Sequence, residues 1–129
     1  MVLVEPELSY QLVGMCFDVQ NNLGSKLQEK YYQKALEIEL KKAGLKYQKE
    51  LSGELQYKGE SIGRFFFDFV VEGKILLELK VLPGLTKKEI GQVLRYLEKS
   101  GLRLGILVNF GTDKLEYIRV LNSKLLEKD

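Results

Sequence analysis

The sequence predicts an α/β protein in which helices flank a mixed central sheet. Three observations carry that expectation. Apolar residues recur at helical spacing over roughly the first forty positions, and from Leu45 to Leu82 they form strand-like runs separated by tight turn triplets. A capped helical segment then divides those runs from two further ones. The order reads α-α-β-β-β-α-β-β, and helices on both sides of the sheet would bury the apolar faces. The 129 residues fit one domain, large enough to bury a proper core.

Ser9 to Gly24 reads as the first helix, with Leu12, Met15, Cys16 and Val19 on one face. Ser9 is its expected cap, and Asn22 with Gly24 its stop signal. The second helix runs from about Leu27 to Lys42 and is closed by Gly44; Leu27, Tyr31, Ala35, Ile38 and Leu40 are expected to point inward. Leu45 to Leu51 and Glu54 to Tyr57 are short mixed strand segments, followed by a turn at Lys58-Gly59-Glu60. Ile62 to Val71 is a longer strand, Glu72-Gly73-Lys74 a second turn, and Ile75 to Leu82 a strand ended by Pro83-Gly84. Thr86 caps a third helix over about Lys87 to Ser100, and Glu89 completes a capping box. Gly101 terminates that helix. Leu102 to Phe110 reads as a buried strand, Glu116 to Leu121 as a last strand, and Lys124 to Asp129 as a polar tail.

Composition removes several kinds of chemistry. The chain has no histidine, which excludes Ser-His-Asp and Cys-His catalysis, histidine zinc sites and the usual neutral-pH proton shuttle. Cys16 is the sole cysteine, so neither an intrachain disulfide nor a cysteine zinc site can form, and its helix face places it in the core. A net charge of +2 is compatible with a nucleic-acid partner without indicating one. The opening Met1 to Glu7 lacks a basic region and is interrupted by acids and a proline, unlike a signal peptide. The apolar runs are strand length and broken by charge, so no membrane span is expected and a cytoplasmic location is the default.

The chemistry-bearing pattern is Asp68-x9-Glu78-Leu79-Lys80, set in the runs Phe65-Phe66-Phe67-Asp68-Phe69-Val70-Val71 and Ile75-Leu76-Leu77-Glu78-Leu79-Lys80-Val81-Leu82. Ionisable groups in such surroundings are costly unless paired or bound to a cation. Glu78 and Lys80 share a strand face. A three-residue loop at Glu72-Gly73-Lys74 would pair Val71 with Ile75 and set Asp68 opposite Glu78, with Cβ atoms about 5 Å apart. A two-residue loop would put them on opposite faces, and a bulge could restore the match. Two such carboxylates would repel, and a hard cation such as Mg²⁺ or Mn²⁺ resolves the conflict while activating water toward a phosphoryl group. Lys80 would orient the water or neutralise developing charge. The bland alternative is also available: Asp68 as a charge that breaks an aggregation-prone run, and Glu78 and Lys80 as solvated residues. Two further pairs weigh against it, Glu29 with Tyr32 and Gln92 with Tyr96, each on one helical face.

These residues together resemble the GxxExxY proteins of the PD-(D/E)XK nuclease-like superfamily. The resemblance runs from Leu8 to about Asn122, through Leu27-Gln28-Glu29-Lys30-Tyr31-Tyr32, Gly63-Arg64 to Asp68, Leu77-Glu78-Leu79-Lys80, Gln92-Val93-Leu94-Arg95-Tyr96-Leu97 and Val108-Asn109-Phe110-Gly111. It implies a restriction-endonuclease-like α-β-β-β-α-β core, with Asp68 and Glu78 as metal ligands, Glu29 completing the site and Lys80 as the catalytic lysine. Gln92 and Tyr96 resemble the Gln-x3-Tyr motif that supports the site and contacts nucleic acid. Lys26 stands where the family signature has its glycine, so the turn into the second helix is expected to be built differently, or at least without that glycine; Phe67 stands where the superfamily has its proline.

The expected function is therefore a Mg²⁺- or Mn²⁺-dependent nuclease that hydrolyses phosphodiester bonds with metal-activated water. Gln92 would position water or substrate, and Lys26, Lys87, Lys88 and Arg95 are candidate phosphate contacts, each with ordinary surface as the simpler alternative. Nucleic acid is the expected partner, DNA favoured over RNA. The competing readings are a non-catalytic binding or regulatory module, and an interaction subunit, including a homodimer formed through Phe110 or Leu121 to Leu126.

Overall fold

A computed structural model describes residues 4–122. Two helices, α1 (Pro6–Leu23) and α2 (Glu29–Lys42), precede three strands, β1 (Tyr47–Tyr57), β2 (Glu60–Val71) and β3 (Ile75–Lys80). Helix α3 (Lys87–Ser100) and strands β4 (Leu104–Asn109) and β5 (Glu116–Leu121) complete the order. The sheet runs β1-β2-β3-β4-β5, with β3 and β4 parallel and every other neighbouring pair antiparallel. The parallel pair follows from α3, which supplies the crossover that two strands of the same direction require.

The mixed sheet and its flanking helices thus agree with the fold class read from the sequence. Helices α1 and α2 cover one face through Leu12, Cys16, Leu36 and Leu40 against Phe69, Leu77, Ile106 and Val108. Helix α3 covers the other through Val93 and Leu97 against Val70, Leu76 and Leu107. Strand β4 is buried along its whole length and β3 up to Leu79, as central strands covered on both faces must be. Cys16 lies in this core, where burial pushes its thiol up to about 12. Helix α3 begins as its sequence announces: the Thr86 hydroxyl accepts from Lys88 N–H, while Glu89 accepts from Thr86 N–H at 3.0 Å.

Four expectations need correction. Ser9 does not cap α1, because Pro6 starts the helix one turn earlier; buried Ser9 instead accepts a hydrogen bond from Arg119 at 2.9 Å. Helix α2 is rotated from the expected phase: Leu40 is buried as expected, but Tyr32 and Leu36 are buried with it, whereas Tyr31 and Ile38 are exposed, as is Leu27 ahead of the helix. The two short segments before Lys58 form one strand, since pairing with β2 continues from Tyr47 to Tyr57. Phe110 is buried under Tyr32, so it offers nothing to a dimer face. Leu121 is partly exposed, and the polar tail from Lys124 lies outside the described residues.

The end of β3 is held by one side chain. Asn109 Oδ1 accepts from Leu82 N–H at 2.9 Å and Gly111 N–H at 3.0 Å, while its Nδ2 donates to Leu82 C=O and Glu116 Oε1. Only a glycine fits at position 111, where a Cβ would stand 2.1 Å from the Leu82 carbonyl oxygen. This staple fixes the chain just past Lys80, at the carboxyl end of a parallel strand pair, where open α/β sheets place their sites.

Candidate active site

The site begins with an interrupted ladder. The turn Glu72-Gly73-Lys74 has the three-residue length that brings Val71 opposite Ile75, and Phe69 opposite Leu77. The next rung would join Asp68 to Glu78, but the backbones do not pair there. Their carboxylates take over: Asp68 N–H donates to Glu78 Oε1 at 3.1 Å, and Leu79 N–H donates to Asp68 Oδ2 at 2.7 Å. The cause lies partly in β1. Glu50 sits at φ 57, and the β1–β2 pairing skips from Lys49↔Phe69 to Leu51↔Phe67 across it. Phe69 and Val71 consequently join the α1/α2 side of the core while Phe65 and Phe67 pack on the α3 side. Asp68 stands where the strand changes sides.

Helix α2 supplies the remaining acid. Glu29 is its first residue, and Gln33, one turn on, donates from Nε2 both to Glu29 Oε2 at 2.9 Å and to Asp68 Oδ1. Lys80 Nζ lies 3.7 Å from Glu78 Oε2. Glu29, Gln33, Asp68, Glu78 and Lys80 all line one cleft of about 640 Å³, with Lys30, Lys34 and Lys49 around them and Phe66 and Phe67 on the strand wall.

Glu78 is only 4% exposed, and burial drives its carboxyl far above the usual carboxylate range, with Asp68 pushing the same way and Lys80 opposing. Glu29 is raised as well, first by burial and then by the charge of Asp68. At the outer end, Glu37 is held below the usual range, chiefly by the Tyr47 hydroxyl donating to it at 2.7 Å and further by Lys49.

The orientation of α2 depends on Tyr32. Its ring stacks on Phe110 with centroids 4.2 Å apart, and its hydroxyl donates to Gly24 C=O at 2.6 Å while accepting from Leu27 N–H at 3.1 Å. Tyr32 therefore ties the α1–α2 turn to the core beside Glu29 and is not itself part of the cleft. At Lys26 the turn takes the second of the two expected forms, lacking the glycine without being built differently. The φ of 69 at this residue is the left-handed conformation that glycine adopts freely, so the turn keeps the glycine-type backbone and carries a lysine in it. Lys26→Gly is expected to raise stability by about 0.5–1 kcal/mol in urea melts, since its ion pair with Asp113 is exposed and dispensable.

The other sequence-derived candidates lie apart from the cleft lining. Lys26 sits by a separate hollow with Pro83 and Asp113. Gln92 is half-buried on α3; Tyr96 packs its ring 4.6 Å from that of Phe67, which forms part of the cleft wall. Lys87, Lys88 and Arg95 are exposed on α3. Gln33 was not anticipated, although its place one helical turn after Glu29 was a readable signal.

Among the described residues, no three His, Cys, Asp or Glu side chains are arranged to hold a metal ion directly. The acids instead accept hydrogen bonds from Gln33 and from backbone N–H groups. The donor chemistry nevertheless fits a hard divalent cation: three carboxylates, no nitrogen or sulfur ligand, and two acids, Glu29 and Glu78, whose ionisation is suppressed by burial and then by Asp68 beside them. Among the described residues no helix is long and apolar enough to cross a membrane.

Comparison with known proteins agrees with this architecture. The solved structure of SSO0001 superposes with a TM-score of 0.57 at 15% identity, covering 89% of this chain and 77% of that one, which is a likeness of fold. A search of curated proteins gives no match. The family model of the PD-(D/E)XK nuclease superfamily matches residues 6–120. That match spans nearly the whole chain, both helices before the sheet and every strand of it, and the chain belongs to the PD-(D/E)XK nuclease superfamily.

Proposed function

We propose that this protein is a divalent-metal-dependent nuclease of the GxxExxY type, acting as one domain in the cytoplasm and hydrolysing phosphodiester bonds of nucleic acid, DNA before RNA. The observation that carries the reading is the convergence of Glu29, from a separate helix, on Asp68, Glu78 and Lys80 in one cleft. A structural ion pair would need only two of these groups.

In this reading Glu29, Asp68 and Glu78 hold Mg²⁺ or Mn²⁺. The bound ion supplies Lewis-acid polarisation of a phosphoryl oxygen and lowers the pKa of water. Lys80, held beside Glu78, presents its ammonium to charge that develops on the phosphoryl group, and its position at the end of β3 is secured by Asn109. Gln33 holds Glu29 and Asp68 together across the gap between helix and strand. Lys30 and Lys34, one turn apart on α2, offer phosphate contacts nearer the cleft than Lys26, Lys87, Lys88 or Arg95.

The test is cleavage of a mixed DNA and RNA panel with Mg²⁺ or Mn²⁺. Asp68→Ala and Lys80→Ala are each expected to lower the rate by about 10²–10³-fold or more, and chelator to abolish it. Folded protein that binds nucleic acid with no metal-dependent cleavage would assign the non-catalytic module instead.

A further inference from the structure

The strand wall of the cleft carries an aromatic residue on which, among the described residues, no other ring stacks. Four phenylalanines lie within Phe65 to Phe69, and three are accounted for by packing. Phe69 is buried on the α1/α2 side, Phe67 is buried against Tyr96, and Phe65 packs edge-on to Phe67 with its ring over Gly53. Phe66 alternates to the other side of the strand and is 67% exposed. Among the described residues no other ring stacks on it.

A single exposed phenylalanine on a protein surface needs no explanation. The position of this one supplies a reason. Phe66 lines the same cleft as Asp68, Glu78 and Lys80, and lies two residues along the strand from Asp68. The facing wall is α2, whose cleft side presents Lys30 and Lys34 at one-turn spacing. A flat apolar face across from ammonium groups matches a nucleotide, which carries a base on one side and a phosphate on the other. The packing of Phe65 over Gly53 and of Phe67 on Tyr96 holds this part of the strand, so Phe66 is presented without a large entropic cost.

We propose that Phe66 is the platform on which an unpaired base of the substrate stacks, and that the site therefore acts on single-stranded or locally opened nucleic acid. Within a duplex both faces of every base are covered by neighbouring bases, so a side chain reaches a base face only at an end, a loop, a flipped position or a single strand. The ring makes no distinction between bases, so this preference is for strand state and is largely independent of sequence. As a statement about substrate, the inference rests on the nuclease reading; the stacking contact can be measured without cleavage.

Binding of a fluorescein-labelled 12-residue oligonucleotide is followed by anisotropy in chelator, as single-stranded DNA, single-stranded RNA and duplex DNA of one sequence. The wild type is expected to bind single strands more tightly than duplex. Phe66→Ala should lose about 10–100-fold in single-strand affinity, and Phe66→Trp should retain it. One abasic position in the single strand should reproduce the loss in the wild type and have little effect in Phe66→Ala. The DNA and RNA arms identify which strand the platform holds, and loss on either one supports the contact. Duplex binding as tight as single-strand binding, or unchanged affinity in a folded Phe66→Ala, overturns the inference even if Mg²⁺-dependent cleavage is found. Phe66-dependent single-strand binding without cleavage in Mg²⁺ or Mn²⁺ leaves the base platform standing and removes the nuclease reading.

Discussion

Glu78→Gln is expected to stabilise the protein and inactivate it in one step. Wild-type Glu78 is nearly inaccessible, stands beside Asp68, and has a carboxyl raised chiefly by burial. Its folded-state pKa exceeds its unfolded-state value, so between the two the folded protein binds more protons than the unfolded chain. Stability attached to this group is complete below the unfolded carboxylate value of 4.5 and declines as pH rises toward the folded value. Glu29 shifts in the same direction and adds to the decline. Glutamine keeps an oxygen to accept from Asp68 N–H and carries no charge to bury. At pH 7 in chelator, the gain should be about 1–2 kcal/mol, or roughly 3–8 °C in Tm. The difference should shrink toward pH 4, where both proteins are neutral at this position. Cleavage should fall by about 10²–10³-fold or more. A Tm at or below the wild-type value at pH 7, with the gap unchanged at low pH, would mean that the carboxyl costs the fold nothing.

The largest loss of stability is expected from Tyr32→Ala. The substitution removes a fully buried ring stacked on Phe110 and leaves Gly24 C=O and Leu27 N–H without their shared partner. Loss of a buried aromatic side chain costs about 3–5 kcal/mol. For a protein of ordinary stability that approaches the whole margin. Tyr32→Phe separates the two contributions: the stack survives, the hydroxyl bonds do not, and the cost should be about 1–3 kcal/mol. Urea denaturation of all three proteins measures both steps. Cleavage by the Phe variant should also fall, because the freed turn leads directly into Glu29. A Tyr32→Ala midpoint close to wild type would show that Phe110 and the turn close up without the ring.

How far the sequence discloses these features depends on whether competing patterns are present. The capping box at Thr86 and Glu89 has no rival, and α3 starts where it indicates. At Glu72 the sequence leaves two loop lengths open, and the turn takes the three-residue form that sets Val71 opposite Ile75 and brings Asp68 toward Glu78. Helix α2 is different. Tyr31, Ala35 and Ile38 describe one apolar face while Tyr32, Leu36 and Leu40 describe another, and periodicity cannot choose between them. The choice is made by the Tyr32 hydroxyl, through bonds to a turn whose shape is not written in the apolar pattern. The same rotation brings Gln33 to the acids, so missing the phase meant missing the residue. The absent rung at Asp68 was hidden for a similar reason: it accompanies the left-handed Glu50 on a neighbouring strand, which no local rule assigns to a glutamate.

That change of sides gives Asp68 a structural place in the strand apart from the metal-binding role proposed for it. Ahead of it in the chain, Phe65 and Phe67 pack on the α3 side; after it, Phe69 and Val71 pack under α1 and α2. Asp68 thus joins the two halves of the strand, and its carboxylate accepts across the gap from Leu79 N–H and Gln33. The first exposed side chain on the hairpin side of that junction is Phe66, so the exposed ring and the acids are separated by one buried residue, Phe67.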